Sequence, residues 1–331
     1  MKKMNIGTSG IEASVITLGA MPMGGGTWWQ NSEDAESIRT IHLAYDQGIN
    51  LIDTAPVYGF GHSEEVVGKA IKGRRSDFII STKCGLWWED DEGSFRFEKD
   101  GHKVKRNVSR RVIEREIDRS LTLLGTDYID IYYPHNPACP PFLTPVEETM
   151  DTLLGLKKAG KIRCIGLSNA TVDELREYMS YGRVDILQRR YNILDCMAED
   201  TFFDLIQENN MSFHAYLPLE RGLLTGSVTM DTACAAGDAR DEEAWWKQER
   251  RAAVLAFVDS LKEIAQRYHC SLSQLSIAYL LNRAPFVNVI CGMRKTKHVC
   301  ENAEAANLVV SQEDLQLIRF MSDRLRCAVN L

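Results

Sequence analysis

The chain lacks any C-x-x-C pair, although it carries nine cysteines, an odd number, spread from Cys84 to Cys327. That argues against a zinc ribbon or a disulfide framework and fits reduced, mostly buried thiols in a cytosolic protein. No apolar run approaches the ~20 residues that a membrane helix needs. Lys2 and Lys3 are followed by Asn5, Gly7, Thr8, Ser9 and Gly10 where a signal peptide would be apolar. Basic residues are in deficit, 39 against 46 acidic ones, for a net charge of −7. A nucleic-acid partner is therefore not expected, because phosphate neutralisation needs a basic surface. No G-x-G-x-x-G opens a helix, so the dinucleotide fingerprint of a Rossmann fold is missing. His42, His62, His102, His214 and His269 show no paired ligand spacing, and no metal site is expected.

What is present is an ample core, 44% hydrophobic residues with 26% charged. Length alone leaves one or two domains open. Residues 1–15 read as a hairpin turning at Gly7–Gly10. Eight strand candidates follow: Val15–Leu18, Ile49–Ile52, Phe78–Ser81, Tyr128–Tyr133, Ile162–Leu167, Val184–Gln188, Ser212–Tyr216 and Phe286–Ile290. Amphipathic segments separate them, several opening on helix-start residues such as Thr144 before Pro145. Regular alternation without a composition break predicts one α/β domain over residues 1–331, a (β/α)₈ TIM barrel with an N-terminal hairpin. Long loops follow strands three and seven, on the face where such barrels carry their active sites. The first contains Phe95–Val104, an alternating run broken at Asp100-Gly101, which predicts a small hairpin.

The strand ends carry the chemistry. Strand two delivers Asp53 and then Tyr58, strand three Lys83, and strand four His135. A phenol of pKa ~10 is a weak acid at neutral pH. An ammonium beside it favours the phenolate, and a carboxylate keeps that ammonium charged and aimed. With a histidine to hydrogen-bond the substrate oxygen, the set is suited to protonating a carbonyl oxygen as hydride reaches carbon.

Nearly end to end, the chain resembles the aldo-keto reductases, bacterial members acting on methylglyoxal and sugar derivatives above all. The resemblance is carried by Leu51-Ile-Asp-Thr-Ala-Pro-Val-Tyr-Gly59, Ser81-Thr-Lys83, Tyr128-Ile-Asp-Ile-Tyr-Tyr-Pro-His135, Gly166-Leu-Ser-Asn169, Tyr216-Leu-Pro-Leu-Glu-Arg-Gly-Leu-Leu-Thr-Gly226 and Glu301-Asn302. It implies Tyr58 as general acid/base, Asp53 and Lys83 as its tuning pair, and His135 as substrate orienter. It also implies a nicotinamide cofactor held by Ser168, Asn169 and Gln188 at the carboxamide and stacked on by Tyr216. The backbone through Pro218, Leu219, Gly222 and Leu224 would follow the pyrophosphate, with Gly292, Arg294, His298, Glu301 and Asn302 around the adenosine end. The basic side chains Arg294, Lys295, Lys297 and His298 at a helix start favour a 2′-phosphate, hence NADP(H) over NAD(H).

Departures from the family pattern fall on the pocket wall and the cofactor. Ala20-Met21 stands where a Thr-Trp pair is frequent, Leu217 where a serine is, and His298 where a glutamine is. Met21, Trp28, Trp29, Trp87 and Trp88 are the candidate pocket residues, because the tryptophan doublets follow strands; Trp245-Trp246 is the third doublet. Those aromatics could equally anchor the loops. Two rival functions remain: a cofactor-binding redox-sensing barrel, which the family includes, and a Schiff-base aldolase using Lys83. The small-molecule partner is a carbonyl or alcohol compound.

Overall fold

A computed structural model of the chain describes residues 1–27, 29, 32–234, 240, 243–293 and 295–331. An N-terminal hairpin, β1 (Lys3–Asn5) and β2 (Glu12–Ser14), precedes the first barrel strand, β3 (Ile16–Gly19). After it come α1 (Asp34–Asp46), β4 (Leu51–Asp53), α2 (His62–Ile71), β5 (Ile79–Cys84), β6 (Leu86–Trp87), β7 (Ser94–Lys99), β8 (His102–Arg106) and α3 (Arg110–Leu124). The second half runs β9 (Ile129–Pro134), α4 (Val146–Lys158), β10 (Ile162–Ser168), α5 (Val172–Tyr181), β11 (Ile186–Arg190), α6 (Met197–Glu208) and β12 (Ser212–Tyr216). It closes with α7 (Gln248–Arg267), α8 (Leu272–Arg283), β13 (Val287–Gly292), α9 (Thr296–Ala305) and α10 (Gln312–Ala328).

Eight parallel strands close in the order β3-β4-β5-β9-β10-β11-β12-β13 and back to β3, with helices outside. This is the (β/α)₈ barrel expected from the alternation, and each of the eight strand candidates overlaps one barrel strand. Side chains alternate across the wall, as a two-residue period requires. On β5, Ile79 belongs to the apolar cluster at the foot of the barrel, while Ile80 joins the layer under the helices. The hairpin plugs that foot: Ile6, Ile11 and Ala13 pack on Leu51, Ile79, Ile131, Tyr133, Cys164 and Ile186. Its turn is tied down by Gly7 N–H to Ser212 Oγ (2.9 Å) and Thr8 N–H to Asp185 Oδ1 (3.1 Å).

Helix starts follow local chemistry in two clear cases. Thr171 with Glu174 and Ser271 with Gln274 form reciprocal capping boxes on α5 and α8. The start of α4 differs from the expected one. Pro145 itself occupies the N-cap position and the Thr144 hydroxyl is buried without a partner, because a proline there moves the helix one residue on.

The loop after β5 forms a three-stranded antiparallel sheet in the order β6-β8-β7. Leu86 and Val104 from it pack on Ala55 and Val57, with Tyr58, Phe60, Trp88 and Phe97 against the cluster. The inserted sheet thus clamps the loop that carries Tyr58.

Candidate active site

Pairing of β4 with β5 sets Asp53 beside Ser81, so Lys83, two residues on, projects into the barrel on the same side. Lys83 Nζ lies 2.7 Å from Asp53 Oδ1 and donates to the Thr54 carbonyl at 2.8 Å. Asp53 Oδ2 accepts from Ser81 Oγ and from Gln188 Nε2, both at 2.9 Å. Lys83 is wholly buried and Asp53 nearly so. An ion pair can be kept that deep because its remaining lone pairs and protons are satisfied. Burial alone would push the lysine pKa down; Asp53 and Tyr58 together outweigh it and hold it above the ordinary value.

Tyr58 Oη sits 3.4 Å from Lys83 Nζ. The lysine was expected to lower the phenol's pKa. Burial instead outweighs it, and the net direction is upward, with Lys83 the largest opposing influence. Tyr58 is therefore protonated at neutral pH. The turn that presents it has no room for a side chain on the residue that follows. A Cβ on Gly59, whose φ is +63°, would stand 2.1 Å from the Gly24 carbonyl oxygen. The glycine loop after β3 is thus a close packing surface for the Tyr58 turn.

His135 follows β9, its backbone N–H donating to the Cys84 carbonyl at 2.8 Å. Its ring meets that of Tyr58 edge to face, with centroids 6.0 Å apart. Burial, then the nearby charges of Lys83, Arg96 and Arg106, hold its pKa well below the usual histidine value, so the imidazole is neutral.

Asp53, Tyr58 and His135 line one cavity of about 890 Å³ at the C-terminal ends of the strands. Ser168, Asn169, Gln188, Tyr216, Pro218, Leu219, Gly222, Gly292 and His298 line the same cavity. Asn169 adopts a left-handed conformation, φ 61°. Its amide nitrogen donates to the His135 carbonyl (2.9 Å), and its oxygen accepts from Tyr216 Oη at 2.6 Å. Beyond Tyr216 the backbone is strained, with positive φ at Leu217, Glu220, Arg221 and Gly222. Positive φ at non-glycine residues is uncommon and gathers where a chain must approach a ligand. Buried Glu220 holds that turn through Arg190 and Asn192, and Glu243 pairs with Arg190 and Arg221.

Some sequence candidates stand elsewhere. Leu224 is buried, Asn302 is nearly buried, and Glu301 accepts from Ser271 Oγ at 2.7 Å; none of the three lines the cavity. Met21 and Trp29 do line it. Trp87 and Trp88, read from sequence as either pocket residues or loop anchors, do not line it. Trp87 is buried under Arg111 and Arg115, and Trp88 packs on Phe60 and Arg119, both anchoring the inserted sheet. Leu86, Phe97, Arg96, Arg106 and Asn136 line the cavity instead. The alternation of Phe95–Val104 signalled the hairpin but not which residues would face the barrel. Trp28 and Arg294 lie outside the described residues. Trp245 and Trp246 are buried, Trp246 Nε1 donating to the Glu220 carbonyl at 3.1 Å.

The model of the Aldo/keto reductase family matches residues 15–322. The chain belongs to that family. A protein of Escherichia coli (strain K12) named an NADH-specific methylglyoxal reductase is 39% identical over 327 residues, 98% of this chain and 99% of its own length. Aldo-keto reductase YhdN of Bacillus subtilis (strain 168) is 35% identical over 317 residues, covering 95% and 91%. Among solved structures, the glycerol dehydrogenase AKR11B4 from Gluconobacter oxydans superposes with a TM-score of 0.88 at 30% identity, covering 97% of this chain and 95% of that one. This aldo-keto reductase is accordingly an NAD(P)H-dependent oxidoreductase of carbonyl compounds.

Proposed function

We propose that Tyr58 is the proton donor of a small-carbonyl reductase, and one observation carries the reading. Where Tyr58 and Asp53 line the cavity, a protonated phenol touches a buried ammonium that is held by a carboxylate with every oxygen occupied. Lys83 steadies the negative charge that grows on the phenol oxygen as its proton leaves, and Asp53 keeps Lys83 charged. Neutral His135, beside the phenol, orients the carbonyl oxygen. A proton then passes from Tyr58 to that oxygen, and the reverse reaction uses the same atoms in the opposite sense.

The cavity fits a nicotinamide dinucleotide, since Asn169, pinned by Tyr216, and the strained turn at 217–222 face the same space as Tyr58. When bound, that cofactor supplies the hydride. Ser168, Asn169 and Gln188 would meet its carboxamide, the Tyr216 ring its nicotinamide, and Pro218 to Gly222 its pyrophosphate. Lys295, Lys297 and His298 favour NADP(H) over NAD(H). A carboxylate opposes them, because Glu36 Oε1 already accepts from the Thr296 N–H at the start of α9 (3.3 Å). The margin between the two cofactors is therefore small.

Small dicarbonyls such as methylglyoxal, or carbonyls derived from sugars and polyols, are the substrates in this reading, and the cytosol is the location. An aldolase role for Lys83 is disfavoured, because its amine is kept protonated and so is not nucleophilic. The test is Tyr58→Phe with simple aldehydes, followed at 340 nm. A loss of about 10²–10⁴-fold in kcat is expected for removal of a general acid, with cofactor binding retained. Retained turnover would overturn the assignment.

A further inference from the structure

Among the described residues, two cations in the cavity have no counter-charge. The charged residues that line it, among those described, are Asp53, Arg96, Arg106 and Arg221. Asp53 is held by Lys83, and Arg221 by Glu243. Among the described residues, neither Arg96 nor Arg106 makes a side-chain hydrogen bond or ion pair, and Arg106 Nε is buried without a partner. Carboxylates are not scarce nearby, since Glu89, Asp90, Asp91 and Glu92 immediately precede β7. All four are turned to other cations. Glu89 meets Arg115 and Arg119, Asp90 and Glu92 meet Arg111, and Asp91 meets Lys105 at 2.7 Å. Arg106 is half-buried, and a guanidinium that its own fold leaves unmatched there costs stability, a cost retained where a ligand restores the match; Arg96, exposed, lines the same cavity.

Topology decides which ligand they serve. Arg96 and Arg106 stand on β7 and β8, inserted after β5. In the closed barrel β5 is four strands from β12 in either direction, so the insertion lies across the mouth from the strained turn at 217–222. The two arginines therefore face the space beyond Tyr58 and His135, opposite the dinucleotide's proposed track. Leu86, Phe97 and Trp29 share the lining with them.

We propose that Arg96 and Arg106 form an anion subsite, and that the preferred substrate is an aldehyde or ketone carrying a carboxylate or phosphate on a short chain. This rests on the reductase reading above. The guanidinium fork matches either oxyanion with paired hydrogen bonds, which an ammonium cannot reproduce.

Two matched pairs separate the sources of the anion: glyceraldehyde 3-phosphate against glyceraldehyde, and succinic semialdehyde against butanal. In the wild-type enzyme kcat/KM for the charged member of at least one pair exceeds the neutral member's tenfold or more, and the ratio falls with added salt. In Arg96→Leu/Arg106→Leu the ratio drops below about threefold, corresponding to a loss of at least about 0.7 kcal/mol; Arg96→Lys/Arg106→Lys recovers part of it. Ratios near one in both wild-type pairs, or a ratio that the leucine variant leaves unchanged, overturn the subsite. Calorimetric titration of the cofactor-saturated full chain with glycerol 3-phosphate and glycerol, and with 4-hydroxybutyrate and butanol, reads binding without turnover. An anion bound tenfold tighter, with the difference lost in the leucine variant, supports the subsite even if no aldehyde is reduced. Equal binding overturns it. Absence of turnover with all four aldehydes falls instead on the assignment of Tyr58.

Discussion

Replacing Glu64 by glutamine should remove a pH-dependent penalty on the fold. Glu64 lies in the first turn of α2, fully buried against the outer face of β5. Thr82 Oγ1 donates to its Oε1 at 2.7 Å, while Oε2 is buried without a partner. Facing it from α3, Glu116 accepts from the Gly85 N–H at 2.5 Å and has its own orphaned oxygen; Ser120 and Arg119 come from the same helix and Lys83 from β5. Burial is the main cause that lifts the Glu64 pKa from 4.5 to about 7, and Glu116 is pushed up as well. A carboxyl whose pKa is raised by folding holds more protons native than unfolded. Its stabilising contribution is then complete below about pH 4.5 and is lost as pH climbs to about 7. At about 1.4 kcal/mol per pH unit, the rise corresponds to about 3 kcal/mol. Glutamine keeps an acceptor for Thr82 and brings no charge. In urea unfolding, Glu64→Gln should match the wild type near pH 4 and exceed it by up to about 3 kcal/mol at pH 8. A difference that is the same at both pH values would refute the reasoning.

Gly166→Ala should destabilise the barrel by at least about 1–3 kcal/mol, read as a lower urea midpoint. A Cβ there would stand 2.1 Å from the Tyr133 ring, whose hydroxyl is held by His214 at 3.2 Å. Glu36→Gln should raise the ratio of kcat/KM with NADPH to that with NADH severalfold, because it removes the carboxylate at the start of α9; an unchanged ratio counts against that position for the 2′-phosphate. Trp29→Ala should raise KM for aldehydes roughly tenfold, a loss of about 1.4 kcal/mol, with Trp88→Ala close to wild type; the reverse order would place the pocket wall elsewhere. Because His135 is held neutral, kcat/KM should show no acid limb near pH 6.5; a limb there, abolished in His135→Gln, would contradict the geometry.

Much of this protein was legible in its residues because its code is local. Strand and helix periods repeat every few residues, so the eight βα units, the N-terminal hairpin and the inserted hairpin follow from short windows. The constellation of Asp53, Tyr58, Lys83 and His135 could be read because a parallel barrel sends every strand end to one face. What the residues could not decide was which groups meet through space. Arg96 and Arg106, not Trp87 and Trp88, reach the cavity, because the face of an inserted sheet depends on how it packs on Val57 and Phe60. The direction of the Tyr58 pKa also needed the fold. Neighbours can be guessed from motifs, but the loss of water around a phenol is set by everything packed over it, and here burial outweighs the ammonium 3.4 Å away. Strand order and the meeting of Asp53, Tyr58, Lys83 and His135 at one face were thus determined by the sequence alone. The cavity wall, the partners of each charge and the balance of burial against charge were decided only by tertiary structure, since they arise between segments far apart in the chain.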